Sequence, residues 1–151
     1  RKQRRPVKVI FLDQGSDTAS RIAVAIGNKA FPHSGVYSAA GRSSRPAEAA
    51  LVSFMEESGH GMVQSPGETP DLDKILWRDY DVIVSLEGPV SDYVKDVPVG
   101  TVAFEWPIPG RPAPDDPNAA ETYRAMYNEI GTRLHDLMEI MRGLMEDDHH
   151  G

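Results

Sequence analysis

The sequence predicts a single α/β domain in which a four-stranded parallel sheet lies between helical layers, a three-layer α/β/α arrangement. Short apolar runs alternate along the chain with amphipathic segments, which is typical of parallel sheets. The 151 residues suit one core, and 40% hydrophobic with 26% charged residues is ordinary for a globular protein. We place the domain at residues 7–145, between a basic tail or linker at 1–6 and a charged tail at 146–151.

The first unit is a strand, a turn and a helix. Residues 7–12 form a short, nearly continuous apolar run rich in β-branched side chains, which favours a buried strand. Residues 13–18 form a tight turn in which Asp17 or Thr18 could cap the following helix. Apolar residues then recur at helical spacing over residues 19–30, so we expect the first helix there.

The second unit has the same organisation. Residues 35–39 predict a short strand, followed by a polar loop through Arg45. Pro46 suits the first turn of a helix, because its missing N–H would be unpaired there in any case. The apolar stripe of this helix ends before Gly59 and Gly61, and residues 63–70 read as a loop rich in turn residues.

The second half of the chain predicts two further strands and a long helix. Residues 72–77 suggest a short helix, residues 81–86 a clear internal strand, and residues 102–104 the last strand. The proline-dense stretch 107–117 is incompatible with a central strand or a helix interior. From Ala119 to about Met145, apolar residues recur at gaps of three and four, which predicts one amphipathic helix.

The net charge of the chain limits the kinds of partner that it could bind. The net charge of −7 argues against a broad basic surface for nucleic acid. Residues 1–5 are a local basic cluster, interpreted as a solvated tail or, alternatively, as a segment beside anionic lipid, a preceding membrane helix or another domain. The chain opens on Arg1 rather than on Met, so one interpretation left open is that it is a piece of a longer protein. Without a spanning apolar run or signal-peptide pattern, the expected location is cytoplasmic.

The chain contains no cysteine. Disulfides, thiolate metal sites and sulfur nucleophiles are therefore excluded. His33, His60 and His135 are dispersed along the chain without the spacing of a metal site, and His149 and His150 lie in the charged tail. We therefore expect neither a cofactor nor a resident metal.

In parallel α/β folds the ligand crevice lies outside the carboxyl ends of the strands, beside the turn after the first one. The candidate ligand-binding loop is accordingly Asp13, Gln14, Gly15, Ser16, Asp17, Thr18, Ala19, Ser20 and Arg21. We expect the rim of the crevice to be formed by Arg42, Trp106 and Gly110.

Several strings along the chain, taken in order and spacing, resemble the low-molecular-weight protein tyrosine phosphatases and the related thiol-dependent arsenate reductases. The resemblance spans roughly residues 7–145 and implies the phosphotyrosine phosphatase I-like fold. The matching strings are Val9-Ile10-Phe11-Leu12, Val36-Tyr37-Ser38-Ala39, Tyr80-Asp81-Val82-Ile83-Val84, Trp106-Pro107-Ile108-Pro109, and, in the closing helix, Tyr123-Arg124, Asn128-Glu129-Ile130 and Arg133-Leu134.

The resemblance also implies a catalytic apparatus that this chain lacks. In that family the first strand ends in a catalytic Cys, stabilised as thiolate by a helix amino end, and an Arg six positions later grips the oxyanion. The alignment that keeps the strand length places Asp13 at the Cys and Ala19 at the Arg, with Ser20 on the following Ser. Shifting the frame to use Arg21 places Gly15 at the nucleophile position, so neither frame yields a thiol.

The general acid of the family is an Asp that follows the Trp-containing segment. Here that segment leads into Gly110 and Arg111, so the Asp is missing from its expected place. Asp115 and Asp116 lie a few residues further on and could act as the acid only if the loop folded back. Nucleophile, anion-gripping Arg and acid are thus all changed.

The favoured hypothesis is a catalytically inactive, phosphatase-like regulatory module that binds a partner protein or a small ligand through the altered crevice. Asp13 would then accept backbone N–H groups from the helix start and take the place of a bound anion. Two alternatives stay open. One is a divergent phosphohydrolase with Asp13 as nucleophile and Asp17 as the nearest partner for magnesium. The other is a sensor in which Arg21 and loop N–H groups bind phosphate, arsenate or sulfate.

Overall fold

The computed structural model describes residues 5–62 and 71–150, with side chains described as far as Leu144. Its α-helices and strands are β1 (Val7–Leu12), α1 (Ala19–Ala30), β2 (Gly35–Ala40), α2 (Ala49–Glu57), β3 (Val82–Ser85), β4 (Val102–Glu105) and α3 (Ala119–His150). Three short 3-10 helices cover Leu72–Lys74, Trp77–Asp79 and Val90–Asp92.

The four strands form one parallel sheet in the order β2-β1-β3-β4, which confirms the predicted sheet. The central strand β1 pairs with both β2 and β3, so that Val9 lies opposite Tyr37 on one side and Val82 on the other. Because β1 is covered on both faces, every residue of it except Lys8 is buried. The carboxyl ends of all four strands therefore meet at the same edge.

The two faces of the sheet are covered differently. Side chains alternate across a strand, so Val9 and Phe11 point to the face where α1, α2 and α3 pack, whereas Ile10 and Leu12 point to the other face. That second face is covered by the segments containing the 3-10 helices, through Leu72, Ile75, Trp77, Tyr80, Val90, Tyr93 and Val94. The three-layer architecture is thus confirmed, with short 3-10 helices in one outer layer.

Two predicted helices differ from the observed ones. Helix α2 begins at Ala49, so Pro46 lies ahead of it in the loop rather than in its first turn. The cause is that Arg45 is held to Gly15 by a backbone hydrogen bond, which keeps this stretch extended. The helix predicted at 72–77 is instead two separate 3-10 helices, because so short a stretch cannot offset the cost of helix nucleation.

Helix α3 continues to His150, past the predicted end near Met145. No glycine or proline lies between Met145 and His150 to end it, and each further residue adds one backbone hydrogen bond. The predicted loop at residues 63–70 lies outside the described residues. In the part of the chain that the structure describes, no helix is both long and apolar enough to cross a bilayer.

The side chain of Tyr37, in β2, packs against the end of α1 and connects the two elements. The Tyr37 hydroxyl donates to the carbonyl oxygen of Phe31 at 2.8 Å, and burial raises the pKa of Tyr37 to about 12. A Cβ on Gly27 would lie 2.7 Å from Tyr37 Cγ, and one on Gly35 would lie 2.5 Å from the Tyr37 hydroxyl. The ring therefore fills the space that two glycines leave open.

Gly27→Ala should destabilise the protein even though alanine is the better helix former by about 1 kcal/mol. The added methyl would overlap the Tyr37 ring, and such overpacking costs about 1–3 kcal/mol. Gly143→Ala is the matched control, because a Cβ there meets nothing within 4 Å and should stabilise α3 by up to about 1 kcal/mol. Urea unfolding of both variants measures the difference, and equal effects would show that the Tyr37 contact is unimportant.

Candidate functional site

A crevice opens at the carboxyl ends of β1, β3 and β4, where the fold predicts a site. Its cavity has a volume of about 220 Å³. The turn after β1, the segment after β3, the proline-rich segment after β4 and helix α3 all contribute to its wall. The lining residues are Asp13, Asp17, Thr18, Ala19, Leu86, Glu87, Gly88, Trp106, Pro107, Ile108, Pro109, Gly110, Arg111 and Met126.

The turn at residues 13–18 is held in place by the loop that follows β2. Ser43 N–H donates to the Gln14 carbonyl at 3.0 Å, and Arg45 N–H donates to the Gly15 carbonyl at 2.9 Å. The two loops meet so closely that a Cβ on Gly41 would overlap the carbonyl oxygen of Asp13. Ser16 adopts a φ of +52°, a left-handed conformation that turns the chain toward α1.

Asp13 is the centre of the turn and is only 2% exposed. Its Oδ2 accepts the N–H groups of Thr18 at 3.2 Å and Ser20 at 3.0 Å, and its Oδ1 accepts the Ser20 hydroxyl at 3.0 Å. The carboxylate thus occupies donors at the amino end of α1, as the structural interpretation of Asp13 expected. Thr18 stands at the cap position as predicted, but its side chain makes no capping hydrogen bond, because Asp13 supplies that contact.

The environment of Asp13 makes its charged form less favourable than that of an exposed aspartate. Burial is the largest influence and raises the pKa of its carboxyl. The hydrogen bonds from Ser20 and Thr18 lower that pKa, while the charge of Asp17 raises it, and the net effect is a pKa above the ordinary value.

Asp17 is the second buried carboxylate, and two arginines reach it from different segments. Arg111 Nη1 lies 2.7 Å from Asp17 Oδ2, and Arg45 Nε lies 3.5 Å from the same oxygen. The Thr18 hydroxyl donates to the other oxygen at 3.1 Å. The Arg111 pair connects the turn after β1 to the proline-rich segment after β4, so it closes one side of the crevice.

A third set of contacts joins the turn to the segment after β3. Gln14 N–H donates to Glu87 Oε1 at 2.8 Å, and the Gln14 side-chain amide donates to the Tyr93 hydroxyl at 3.2 Å. The Tyr93 hydroxyl in turn donates to the Glu87 carbonyl at 2.6 Å. Burial, followed by the charges of Glu87 and Asp13, raises the pKa of Tyr93, so its hydroxyl remains a donor at neutral pH.

Arg21 lies in the first turn of α1 and is partly buried beside the two carboxylates. Burial lowers the pKa of its guanidinium, whereas the negative charges of Asp13 and Asp17 raise it. Arg21 thus lies in the electrostatic field of both acids, whereas Arg45 and Arg111 contact Asp17. Pairing of Asp17 with Arg45 and Arg111 was not predicted, although Arg111 directly follows the predicted rim residue Gly110.

The predicted rim is partly wrong. Trp106 and Gly110 line the cavity, but Arg42 lines a separate depression with Gly41, Ser43, Ser44, Asp71, Leu72 and Asp73. The reason is that the hydrogen bond from Ser43 to Gln14 turns the loop, which brings Arg45 rather than Arg42 onto Asp17. The sequence analysis did not predict Glu87 as a crevice residue. Its position just after the carboxyl end of β3 is a signal that could have identified it.

The candidate substitute acids do not reach the site. Asp115 and Asp116 are absent from the cavity wall, and Asp116 Oδ1 instead accepts the Asn118 N–H at 2.8 Å just before α3. Among the described residues, no group of three or more His, Asp and Glu side chains is placed to hold a metal ion.

Asp13→Asn should keep the stability of the fold, and Asp13→Ala should lower that stability while leaving the fold in place. Asparagine keeps an acceptor for the two N–H groups without the buried charge, so we expect stability at pH 7 equal to or above that of the wild type. Alanine leaves buried donors unpaired, which should cost about 2–4 kcal/mol. Urea unfolding measures both variants, and an Asn variant as unstable as the Ala variant would contradict the assigned cost of burying the Asp13 charge.

The pH dependence provides a second readout. Because the pKa of Asp13 is higher in the folded than in the unfolded chain, the folded state binds more protons between these two pKa values. Wild-type stability should therefore fall as pH rises through that window, and this component should vanish in Asp13→Asn. Unfolding midpoints measured from pH 3.5 upward test it, and unchanged pH profiles would contradict it.

The fold has close counterparts among solved structures. An arsenate reductase in the phosphate-binding state matches with a TM-score of 0.65 and 21% identity, over 88% of this chain and 97% of that chain. An arsenate reductase from Archaeoglobus fulgidus matches with a TM-score of 0.66 and 23% identity, over 87% of this chain and 98% of that chain.

A third counterpart is Vibrio vulnificus Wzb in complex with benzylphosphonate, with a TM-score of 0.66 and 16% identity, over 88% of this chain and 97% of that chain. No family model matches the chain, and no curated protein matches it. At these identities the likeness concerns the fold. The chain has the four-stranded α/β fold that arsenate reductases share with Wzb, with an aspartate and no cysteine after its first strand.

Proposed function

We propose that this chain is a non-catalytic, phosphatase-like binding domain whose crevice receives a partner side chain or a small ligand. The observation that supports it is the carboxylate of Asp13, which accepts two backbone N–H groups and one hydroxyl at the amino end of α1. Helix amino ends with free N–H groups are ready anion sites. Here a side chain of the protein itself takes that position, so a phosphate-like ligand would have to compete with it.

The residues that line the crevice also argue against the thiol-dependent reaction of the phosphatases and arsenate reductases that the sequence resembles. The chain has no thiol, and both Asp13 oxygens already accept hydrogen bonds. The Arg111 guanidinium is engaged by Asp17. A nucleophile needs an available lone pair aimed at the reacting atom, and an anion clamp needs donors aimed at the anion. In this arrangement the Asp13 oxygens accept three hydrogen bonds from the protein and the Arg111 guanidinium is paired with Asp17, so both groups are already committed to contacts within the protein.

The size and the lining of the crevice limit the kinds of ligand that could bind there. A volume near 220 Å³ lies below the 300–1,000 Å³ of sites that enclose drug-sized molecules, so it suits a single side chain or a small fragment. Trp106, Ile108 and Met126 offer an apolar wall, and Thr18 and Asp17 offer polar groups. An amphipathic group, apolar at one end and hydrogen-bonding at the other, fits this combination.

A titration of backbone amides at residues 13–21 with phosphate, arsenate and sulfate tests the anion question directly. In the wild type we expect no saturable NMR shifts at millimolar anion. In Asp13→Ala, the freed N–H groups and the nearby arginines should bind the same anions at least about tenfold more tightly, since a charge-assisted hydrogen bond contributes about 1.5–3 kcal/mol.

Two results of the anion titration would contradict the proposal. Saturable shifts confined to this loop in the wild type would make the domain an oxyanion sensor, with Asp13 tuning affinity. An Asp13→Ala variant that remains folded and gains no anion binding would show that the carboxylate is not what closes the site. Asp116→Ala, which removes a carboxylate outside the crevice, is the control for net charge.

An activity assay tests the remaining alternative. We expect no hydrolysis of p-nitrophenyl phosphate and no reduction of arsenate, with or without magnesium. Magnesium-dependent turnover that Asp13→Asn abolishes would establish a divergent phosphohydrolase and overturn the proposal, because aspartyl phosphate chemistry needs a metal to offset the charges that meet at the carboxylate.

A further inference from the structure

The segment that connects β4 to α3 has a backbone that its own sequence constrains. Residues 107–114, here called the proline strip, contain four prolines, at positions 107, 109, 112 and 114. A proline fixes its own φ at about −65° and confines the residue before it to extended conformations. Gly110 alone in the strip escapes both constraints, and it does not have a positive φ. The proline strip therefore favours a polyproline II helix.

Two side chains attach the proline strip to the domain. Ile108 packs against the main hydrophobic core, and Arg111 Nη1 lies 2.7 Å from Asp17 Oδ2. These two anchors are three residues apart, and a polyproline II helix has about three residues per turn, so both anchors lie on one side of the helix. The observed contacts thus fit a polyproline II helix that is attached along one side.

The other sides of the proline strip face solvent. Its exposed members besides Arg111 are Pro107, Pro109, Gly110, Ala113 and Pro114, and Pro112 is half-buried. A Cβ on Gly110 would meet nothing within 4 Å. Pro107, Pro109 and Gly110 also line the crevice, which places these exposed residues at its rim. A molecule bound along the strip would therefore lie across the opening of the crevice.

The backbone of the proline strip offers acceptors more than donors. Its four prolines have no N–H, and the Ile108 N–H donates to the Trp106 carbonyl at 2.9 Å. The carbonyl oxygens of residues 107–112 accept no hydrogen bond from any residue that the structure describes. A segment that adds to the edge of a partner's sheet must donate from alternate N–H groups, and prolines interrupt both alternating sets here. A partner must instead pack on the proline rings and donate to the carbonyls.

We propose that the proline strip docks in an aromatic-lined groove of a partner domain that recognises polyproline II helices. Pro109 and Pro112 have the P-x-x-P spacing that such grooves bind. Because Ile108 and Arg111 already hold the strip, binding orders few further residues and loses little conformational entropy. The contact uses the exposed sides of the strip and needs no group inside the crevice, so this inference does not rest on the proposed function.

An NMR titration of the full, isotope-labelled chain with purified SH3, WW and EVH1 domains tests the proposal. The amide groups of Ile108, Gly110, Arg111 and Ala113 report on the proline strip directly. We expect saturable shifts of these amides with at least one of the domains, and no shifts at the far end of α3. Replacing an aromatic residue in the groove of that domain by alanine should weaken binding at least about tenfold.

The prolines have their own pair of variants. Pro109→Ala with Pro112→Ala should weaken binding about tenfold, because the groove loses both rings and the strip gains conformational freedom. Pro32→Ala with Pro46→Ala is the matched control, since both of these prolines are exposed and lie outside the strip. The control should leave binding unchanged.

A second pair of variants leaves every proline in place. Ala113→Glu brings a carboxylate against the aromatic groove, and the cost of removing that carboxylate from water should weaken binding about tenfold. Ala50→Glu adds the same charge at an exposed position of α2 and should leave binding unchanged. Both alanines are exposed and have little packing to lose, and circular dichroism of every variant verifies that the fold is kept.

Several outcomes would overturn the proposal. Absence of saturable shifts with every one of the domains would do so, as would equal losses of binding in the strip variants and in their controls. Binding that survives removal of the groove aromatic would show that the groove is not the contact. Shifts centred on α2 or α3 would place the contact elsewhere on the protein and would equally reject the proline strip.

Discussion

The carboxylate of Asp13 accepts hydrogen bonds from the start of α1, and the local architecture depends on this contact. The turn brings the Thr18 and Ser20 N–H groups toward a single point, where an unpaired donor buried from water would be costly. A bound anion is one solution to that problem, and a side chain is another. With Asp13 in place the turn needs no ligand to be complete. The loop that follows β2 adds backbone bonds to Gln14 and Gly15, so the turn is held from both sides.

A second consequence concerns the electrostatics of the crevice. Two carboxylates buried side by side would repel each other, and the positions of three arginines relieve this repulsion. Arg111 and Arg45 contact Asp17, and Arg21 lies within the field of both acids. The Arg111 side chain is 41% exposed, so water partly screens its ion pair with Asp17. The contribution of this pair to the stability of the fold is therefore modest. Its structural role is to connect the segment after β4 to the turn after β1.

The sequence predicted the fold better than the site. The apolar run of β1 and the gaps of three and four in α3 are strong local patterns, and the structure confirms both elements. Asp13 and Trp106 each follow the end of a strand, which correctly predicted that both residues lie in the crevice. The pairing of Asp17 with Arg111, by contrast, joins residues on different segments, and the choice between Arg42 and Arg45 depends on a loop hydrogen bond. Such contacts leave no periodic trace in a single sequence.

The strand order has a consequence for how the chain reaches this structure. β1 precedes the other three strands in the chain, and it pairs with β3, which follows only after β2 and α2, so that Val9 lies opposite Val82. Contacts between residues so far apart in the chain make folding slow and leave a β-prone apolar segment exposed to neighbouring chains. The cations Arg4, Arg5 and Lys8, which precede and interrupt that segment, place like charges on every nascent copy. They therefore act as gatekeepers against aggregation during synthesis.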